Sequence, residues 1–424
     1  MGSEAQRKRV SILGCGKLGI SMALVFEQKG MDVMGLDIFP TYVDAINNKT
    51  LKSGEPRVTE LLQKSTNFKA TCDVDEALDF SDLYFIVVDT PCTGSRHYQQ
   101  FYDHGKLGNI LKLINERDRL RNKHIVISCT VMPGYTNTTG KFLVKDAIER
   151  GCTLSYNPEF IAQGDIVRGL LKPDMVLIGE GSQEAGDRLE DVYLNNMCDN
   201  VPVISRMSCD SAEITKLSIN CFITTKISFC SMVSDMADRT PGANKFDIMR
   251  AVGADARIGQ KCLIPGYGFG GPCFPRDNRA LGGYARALGV EPLIPDATDR
   301  YNEIHSTNIA KLILGEVSGE AQGSARAMKS SSHLYAAGQK ALQSQDTSAY
   351  CELDLAKKRV VFSDVCYKPK CTVPIIEESQ KLMVAFLVAS ELPEDFSVII
   401  QDRPDILHEV QKKHGPLFKY ETYA

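Results

Sequence analysis

The stretch GYGFGGPCFPRDN at 266–278 sets a cysteine, Cys273, and a carboxylate, Asp277, four positions apart behind a run of glycines. Glycines so dense mark a backbone that turns tightly or is approached closely. A thiol is nucleophilic as its thiolate, which neighbouring positive charge and backbone N–H groups favour. Arg276 and a helix starting near Pro275 supply both. Asp277 is placed to accept a proton from an alcohol or water. A cysteine adds to an aldehyde to give a thiohemiacetal, loss of hydride gives a thioester, and water hydrolyses it. Such a thiol beside a hydride acceptor permits alcohol, aldehyde and acid to succeed one another without release of the aldehyde. On residue types alone, a structural glycine loop with an inert thiol is the plainer reading.

A second constellation opens the chain. RVSILGCGKLGISMALVFEQKGMDVMGLD reads as strand, glycine turn, apolar helix and strand, with Gly14, Gly16 and Gly19 in the turn and Asp37 eighteen positions on. This is a dinucleotide fingerprint in its required context. Gly14 permits the turn, Gly16 lets the backbone approach a pyrophosphate over the helix N-terminus, and Gly19 permits close packing. An acid at position 37 accepts from ribose hydroxyls and repels a 2′-phosphate, so NAD is favoured over NADP. Lys17 inside the turn either adds charge near the pyrophosphate or points to solvent.

The elements that must hold these residues follow an α/β rhythm. Strand-like runs lie at 82–91, 123–131 and 173–180, with helical patterns between, as in a doubly wound parallel sheet. Thr130, at a strand end beside Pro133-Gly134, is a site candidate by position, and an ordinary strand-to-loop turn explains it equally. Residues 211–239 read as one long helix, apolar on more than one face and so buried at a domain or subunit contact. Lys216 and Asn220 share a face of it at i, i+4; a lone helix lysine is ordinarily solvated. A second helical segment, FDIMRAVGADARIGQKCL, leads into the cysteine loop. Residues 316–350, rich in Ser, Ala, Gly and Gln, read as a linker or insertion. Two strands at 357–369 and 396–404 suggest a second α/β unit.

The bulk numbers set limits. A chain of 424 residues expects two or three domains. Net charge of -4 gives no electrostatic case for nucleic acid or an anionic membrane. The N-terminus lacks the apolar stretch of a signal peptide, and no apolar run approaches the roughly 18 residues of a membrane span. The 14 cysteines show no CxxC pair and read as reduced thiols of a cytoplasmic protein. The seven histidines have no metal-ligand spacing, so no metal is expected.

Together the motifs resemble the UDP-glucose/GDP-mannose dehydrogenases, in order across roughly residues 8–310. GCGKLG holds the dinucleotide position, VVDTP resembles the strand-end VGTP, and SCTVMPG looks like the STVPxG element. YNPEFIAQGD, AEITKLSINCF and GADARIGQKCLIPGYGFGGPCFPRDN complete the series. The resemblance implies NAD-dependent oxidation of a sugar's C6 alcohol to a carboxylate, with UDP-glucose favoured by NPEF-I-A-Q-G and GDP-mannose or a UDP-N-acetylhexosamine as alternatives. It implies Cys273 as nucleophile, and Lys216 and Asn220 on the reacting oxygen, with Lys216 stabilising its developing charge. It implies Asp277 orienting or activating water, Glu159 in thioester hydrolysis, and Thr130 positioning water or cofactor. Gly14, Gly16, Lys17, Leu18, Gly19, Asp37, Thr90, Thr130 and Arg276 would meet the cofactor. Phe160, Lys216, Asn220, Arg257, Tyr267, Gly270 and Lys368 would meet the substrate. Arg257 would reach the sugar of a neighbouring subunit, so a homodimer or higher homo-oligomer is expected, with the long helix at its core.

The expected fold is α/β: a Rossmann-like NAD domain over 1–200, a helical dimerisation and catalytic-loop region over 201–315, a linker or insertion over 316–355, and an abbreviated nucleotide-sugar domain over 356–424. The pattern departs from the family at Arg276 in place of a lysine, Gln163 in place of an acid, and Met175 in place of an arginine. Lys368 is kept, but Glu377-Glu378-Ser379 stands where an arginine is expected before the serine, and two acids there would repel a diphosphate. Two rivals remain from the sequence: a non-catalytic nucleotide-binding relative, and a two-electron alcohol dehydrogenase in which the thiol is idle.

Overall fold

The computed structural model describes residues 7–93, 100–318 and 351–423. Residues 319–350, most of the expected linker, lie outside the described residues. The chain clusters into two compact units, Met1–Leu217 and Ser218–Ala424.

Unit 1 is built on an eight-stranded sheet. In chain order its strands are β1 (Arg9–Leu13), β2 (Asp32–Leu36), β3 (Phe68–Thr71), β4 (Leu83–Ile86), β7 (His124–Ile127), β8 (Thr153–Tyr156), β9 (Met175–Glu180) and β10 (Val203–Ser208). A two-stranded hairpin, β5 (Cys92–Thr93) with β6 (Phe101–Tyr102), stands apart from it. The sheet order is β10-β9-β8-β7-β4-β1-β2-β3. Every pairing is parallel except β8 with β9, which meet antiparallel at Tyr156 and Gly179. The first strands read as continuous apolar runs because helices cover both faces. Val10, Ile12 and the helix Lys17–Gln28 pack on one face, whereas Leu13, Tyr84 and Ile127 pack on the other. Chain order reverses between β1 and β4, which makes the carboxyl ends of those two strands the switch point where such sheets take ligands.

Unit 2 carries a four-stranded sheet, β11 (Glu352–Asp354), β12 (Arg359–Ser363), β13 (Ser397–Asp402) and β14 (Lys419–Thr422), in that order. β12, β13 and β14 are parallel. Val360, Phe362, Ile400 and Val388 fill its core together with Ile309 and Ile313 of the helix Leu293–Ser318.

The 30-residue helix Cys209–Asp238 passes through the boundary between the units. By length and composition alone it is apolar enough to cross a membrane, with a mean hydropathy of 1.2 over 18 residues. Of that window 44% is buried inside the protein, as in a core helix. Its buried charged and amide residues, Glu213, Lys216, Asn220 and Asp235, are each committed to partners within the protein.

Candidate active site

The dinucleotide turn follows β1. Gly14 lies at φ +107°, and a Cβ there would stand 2.4 Å from the Val87 carbonyl oxygen. A Cβ on Gly19 would stand 1.9 Å from the Gly14 oxygen, so the helix can start this close only as glycine. Gly16 is the N-cap of Lys17–Gln28 and faces open space, with nothing within 4 Å of its would-be Cβ. That cradle suits a pyrophosphate at a helix N-terminus. Asp37 accepts from the backbone N–H groups of Cys15 at 3.1 Å and Phe39 at 3.2 Å, which aims its carboxylate at the turn. These residues fit NAD. Lys17 is exposed and donates to Gln163 at 3.5 Å, so two oddities of the sequence meet one another. Leu18 is half-buried and Thr90 buried at the end of β4's loop.

Three further site residues lie in unit 1. Glu159 follows β8. Burial pushes its carboxyl up to about 7, outweighing a hydrogen bond from the Tyr193 hydroxyl at 2.5 Å and the nearby charge of Lys216. Lys216 is buried on the long helix, donates to the Glu159 carbonyl at 2.9 Å, and lies 4.6 Å from the centre of the Phe160 ring. The sequence sees this lysine as solvated by default, and the structure places it inside. Thr130 follows β7 by three residues. The loop beyond it is held by Glu213, which accepts from Gly134 N–H at 2.6 Å and Thr136 N–H at 2.8 Å. Glu213 and Tyr193 carry no signal in sequence beyond their apolar surroundings.

The remaining set lies in unit 2. Cys273 is exposed and is the N-cap of the helix Phe274–Ala287, with Pro275 in its first turn. The thiol thus sits at the positive end of a helix, where a thiolate is favoured. Asp277, one turn on, is 1% exposed and accepts from Asn220 Nδ2 at 2.5 Å. Gly268 and Gly271 lie at φ +98° and +83°, and a Cβ on Gly270 would stand 2.1 Å from the Glu378 carbonyl oxygen. The cysteine loop therefore depends on glycine for its path and for contact with residues 377–378. Arg276 is paired with Glu377 at 2.5 Å. Arg279, which sequence reasoning passed over, is held between Asp299 at 3.0 Å and Glu378 at 2.8 Å. The two acids expected to repel a diphosphate are each neutralised by an arginine. Tyr267 is buried beneath Lys381, whose ammonium lies 5.2 Å from its ring centre. Lys368 is half-buried over Tyr367. Arg257 is 88% exposed and pairs with Asp255 alone among the described ion pairs.

No disulfide joins any of the 14 cysteines. Burial raises Cys129, Cys198 and Cys230 to about 12, which makes them inert beside the exposed Cys273.

Comparison with known proteins shows the family of the chain. The model of the UDP-glucose/GDP-mannose dehydrogenase family, NAD binding domain, matches residues 8–197, and that of the family's central domain matches residues 210–304. The UDP-glucose 6-dehydrogenase AglM of Haloferax volcanii is 30% identical over 304 residues, 69% of each chain. A GDP-mannose 6-dehydrogenase of Pseudomonas savastanoi pv. phaseolicola is also 30% identical, over 72% of this chain and 70% of its own. The fold matches that of a UDP-glucose dehydrogenase from Pyrobaculum islandicum with a TM-score of 0.77 at 24% identity, over 99% of this chain and 87% of that one. The chain belongs to the UDP-glucose/GDP-mannose dehydrogenase family and is an NAD-dependent dehydrogenase.

Proposed function

We propose that the protein oxidises the C6 alcohol of UDP-glucose to the carboxylate of UDP-glucuronate. The observation that supports this is the first turn of Phe274–Ala287, where an exposed thiol caps the helix and a buried carboxylate, gripped by Asn220, stands one turn on. NAD, when bound on the glycine turn, takes up one hydride in each of two oxidations. Lys216 and Asn220 hold the oxygen at C6, whose proton passes through Asp277 to solvent, and the ammonium of Lys216 stabilises its negative charge as the first oxidation proceeds. The Cys273 thiolate then bonds to the aldehyde carbon, whose oxygen takes a proton. Loss of the second hydride from carbon, with the proton leaving the oxygen again, gives a thioester on Cys273. Asp277 orients water, Glu159 accepts its proton, and the carbon–sulfur bond breaks to release the acid and the thiolate. One water is consumed and two NADH are formed.

Thr130 positions water or cofactor, and Thr90, Leu18 and Arg276 complete the cofactor contacts. Phe160, Tyr267, Gly270 and Lys368 complete the substrate contacts. Phe222, Phe229 and Met236, exposed at seven-residue spacing on the long helix, support a homodimer through it. The exposure of Arg257 supports its reaching a neighbour's sugar. Cysteines left out of disulfides support a cytoplasmic location. The four-part division of the chain drawn from sequence is retained as part of this reading. GDP-mannose stands as the second substrate because a GDP-mannose enzyme matches as well as a UDP-glucose one.

The test is incubation with NAD and a panel of nucleotide sugars, with NADH absorbance and product mass as readouts. Two NADH per acid formed, with UDP-glucose preferred, supports the reading. Cys273→Ser stops acid formation; acid at the wild-type rate from that variant refutes the covalent route.

A further inference from the structure

The helix Leu293–Ser318 turns Asn302, His305 and Ser306 into the interior of unit 2. Two of these reach the cysteine loop. Asn302 accepts from the Phe269 N–H at 2.9 Å and donates to the Phe269 carbonyl at 2.8 Å. His305, 1% exposed, lies between two acceptors. Its Nδ1 is 2.8 Å from Asp235 Oδ1, and its Nε2 is 2.7 Å from the carbonyl oxygen of Gly266.

A carbonyl oxygen only accepts, so Nε2 carries a hydrogen. Asp235 Oδ2 already accepts from the Tyr301 hydroxyl at 2.8 Å and from Asn308 Nδ2 at 2.7 Å. Its Oδ1 is left for a hydrogen on Nδ1. The ring is thus held at both nitrogens, by Asp235 and by the Gly266 carbonyl. Burial raises Asp235, but the bonds from His305, Asn308 and Tyr301 outweigh it and hold the carboxyl below its usual range.

Apolar residues would fill this helix seam at less desolvation cost than a buried polar pair. What the pair adds is direction: a donor aimed at the first residue of the cysteine loop. That loop has glycine at 266, 268, 270 and 271, so its own backbone fixes little. It is pinned instead at Gly266 by His305, at Phe269 by Asn302, and at Gly271, whose N–H donates to the Glu377 carbonyl at 3.0 Å.

We infer that His305, oriented by Asp235, is a positioning residue for the reaction of Cys273: its bond to the Gly266 carbonyl fixes the entry of the loop and so the place of the thiol. The inference rests on the reading of Cys273 as nucleophile.

The test compares the single variant Asp235→Asn with the double variant Asp235→Asn/His305→Leu in the full-length protein. In the single variant the new amide donates to Nδ1 and still accepts from Tyr301 and Asn308. The neutral ring keeps its Nε2–H on Gly266, and kcat falls by only about threefold. The double variant leaves no buried charge unpaired but removes the donor to Gly266. It is expected to melt near the wild-type temperature, to lose kcat by roughly 10- to 100-fold, and to keep KM for NAD within about twofold. Alkylation of Cys273 by iodoacetamide, followed by peptide mass, slows several-fold in the double variant and not in the single one. A folded double variant with kcat and alkylation within about threefold of wild type overturns the inference. So does a single variant as impaired as the double. A double variant that does not fold also overturns it, because the pair is then structural only. Cys273→Ser, assayed alongside, separates the two claims: acid formed by that variant refutes the nucleophile, whereas the alkylation rates still report the clamp.

Discussion

Glu159→Gln isolates the most perturbed carboxyl of unit 1. Its folded value, about 7, lies above the ordinary value of 4.5, with burial as the leading cause. The folded protein therefore prefers the protonated acid. Below about pH 4.5 the group is protonated in both states and costs nothing. As pH rises from there to about 7, the unfolded chain ionises and the folded one resists, so stability falls; above about 7 the penalty is complete. A displacement of this size corresponds to about 3 kcal/mol at most. Glutamine keeps the shape and can accept from Tyr193, but it cannot ionise. Urea unfolding of wild type and variant at pH 5, 6, 7 and 8 gives two curves whose difference cancels every other carboxyl. The variant is expected to gain on the wild type by about 2–3 kcal/mol between pH 5 and pH 8. Parallel curves, agreeing within about 0.5 kcal/mol across that range, refute the claim that the Glu159 carboxyl is held against ionisation.

Two further outcomes follow from contacts already described. Gly19→Ala drives a methyl into the Gly14 carbonyl, so NAD binding by calorimetry is expected to weaken at least tenfold, with a lowered melting temperature. Arg279→Met leaves Asp299 and Glu378 without the arginine that joins them and is expected to cost about 3 kcal/mol in urea unfolding.

The site was legible in sequence where chemistry needs a residue type at a fixed spacing along the chain. The glycine turn with Asp37, and Cys273 with Asp277, are local patterns, and the structure realises both at helix N-termini. The strands at β4, β7, β9, β12 and β13 were visible because both their faces are buried and they read as apolar runs. β10 was not, since its burial is only partial and its sequence, VISRMS, mixes polar with apolar. The antiparallel joint of β8 and β9 leaves no local mark, because hydrogen-bond direction is a property of the partner and not of the strand. His305, Asp235, Tyr193 and Glu213 were missed for one common reason. Each acts on a backbone group or side chain more than 30 positions away, and nothing near it in sequence announces that partner.

The departures from the family pattern gain sense when taken together. Taken alone, Glu377-Glu378 looks hostile to a diphosphate, and Arg276 looks like an altered cofactor contact. The structure pairs Arg276 with Glu377 and Arg279 with Glu378, so the acids answer arginines on the first turns of the thiol's own helix. Glu378 does so from φ +50°, a backbone state that an ordinary residue holds only when its surroundings fix it. The partly exposed Arg276 pair contributes little by itself. The Arg279 pair, 9% and 20% exposed, is shielded from solvent and sets direction strongly. The same stretch also accepts the Gly271 N–H through the Glu377 carbonyl. These pairs hold the cysteine loop from a second side. On the first side stand Asn302 and His305. The loop that is freest by composition is thereby held at Gly266, Phe269 and Gly271, which is the condition a positioned nucleophile requires.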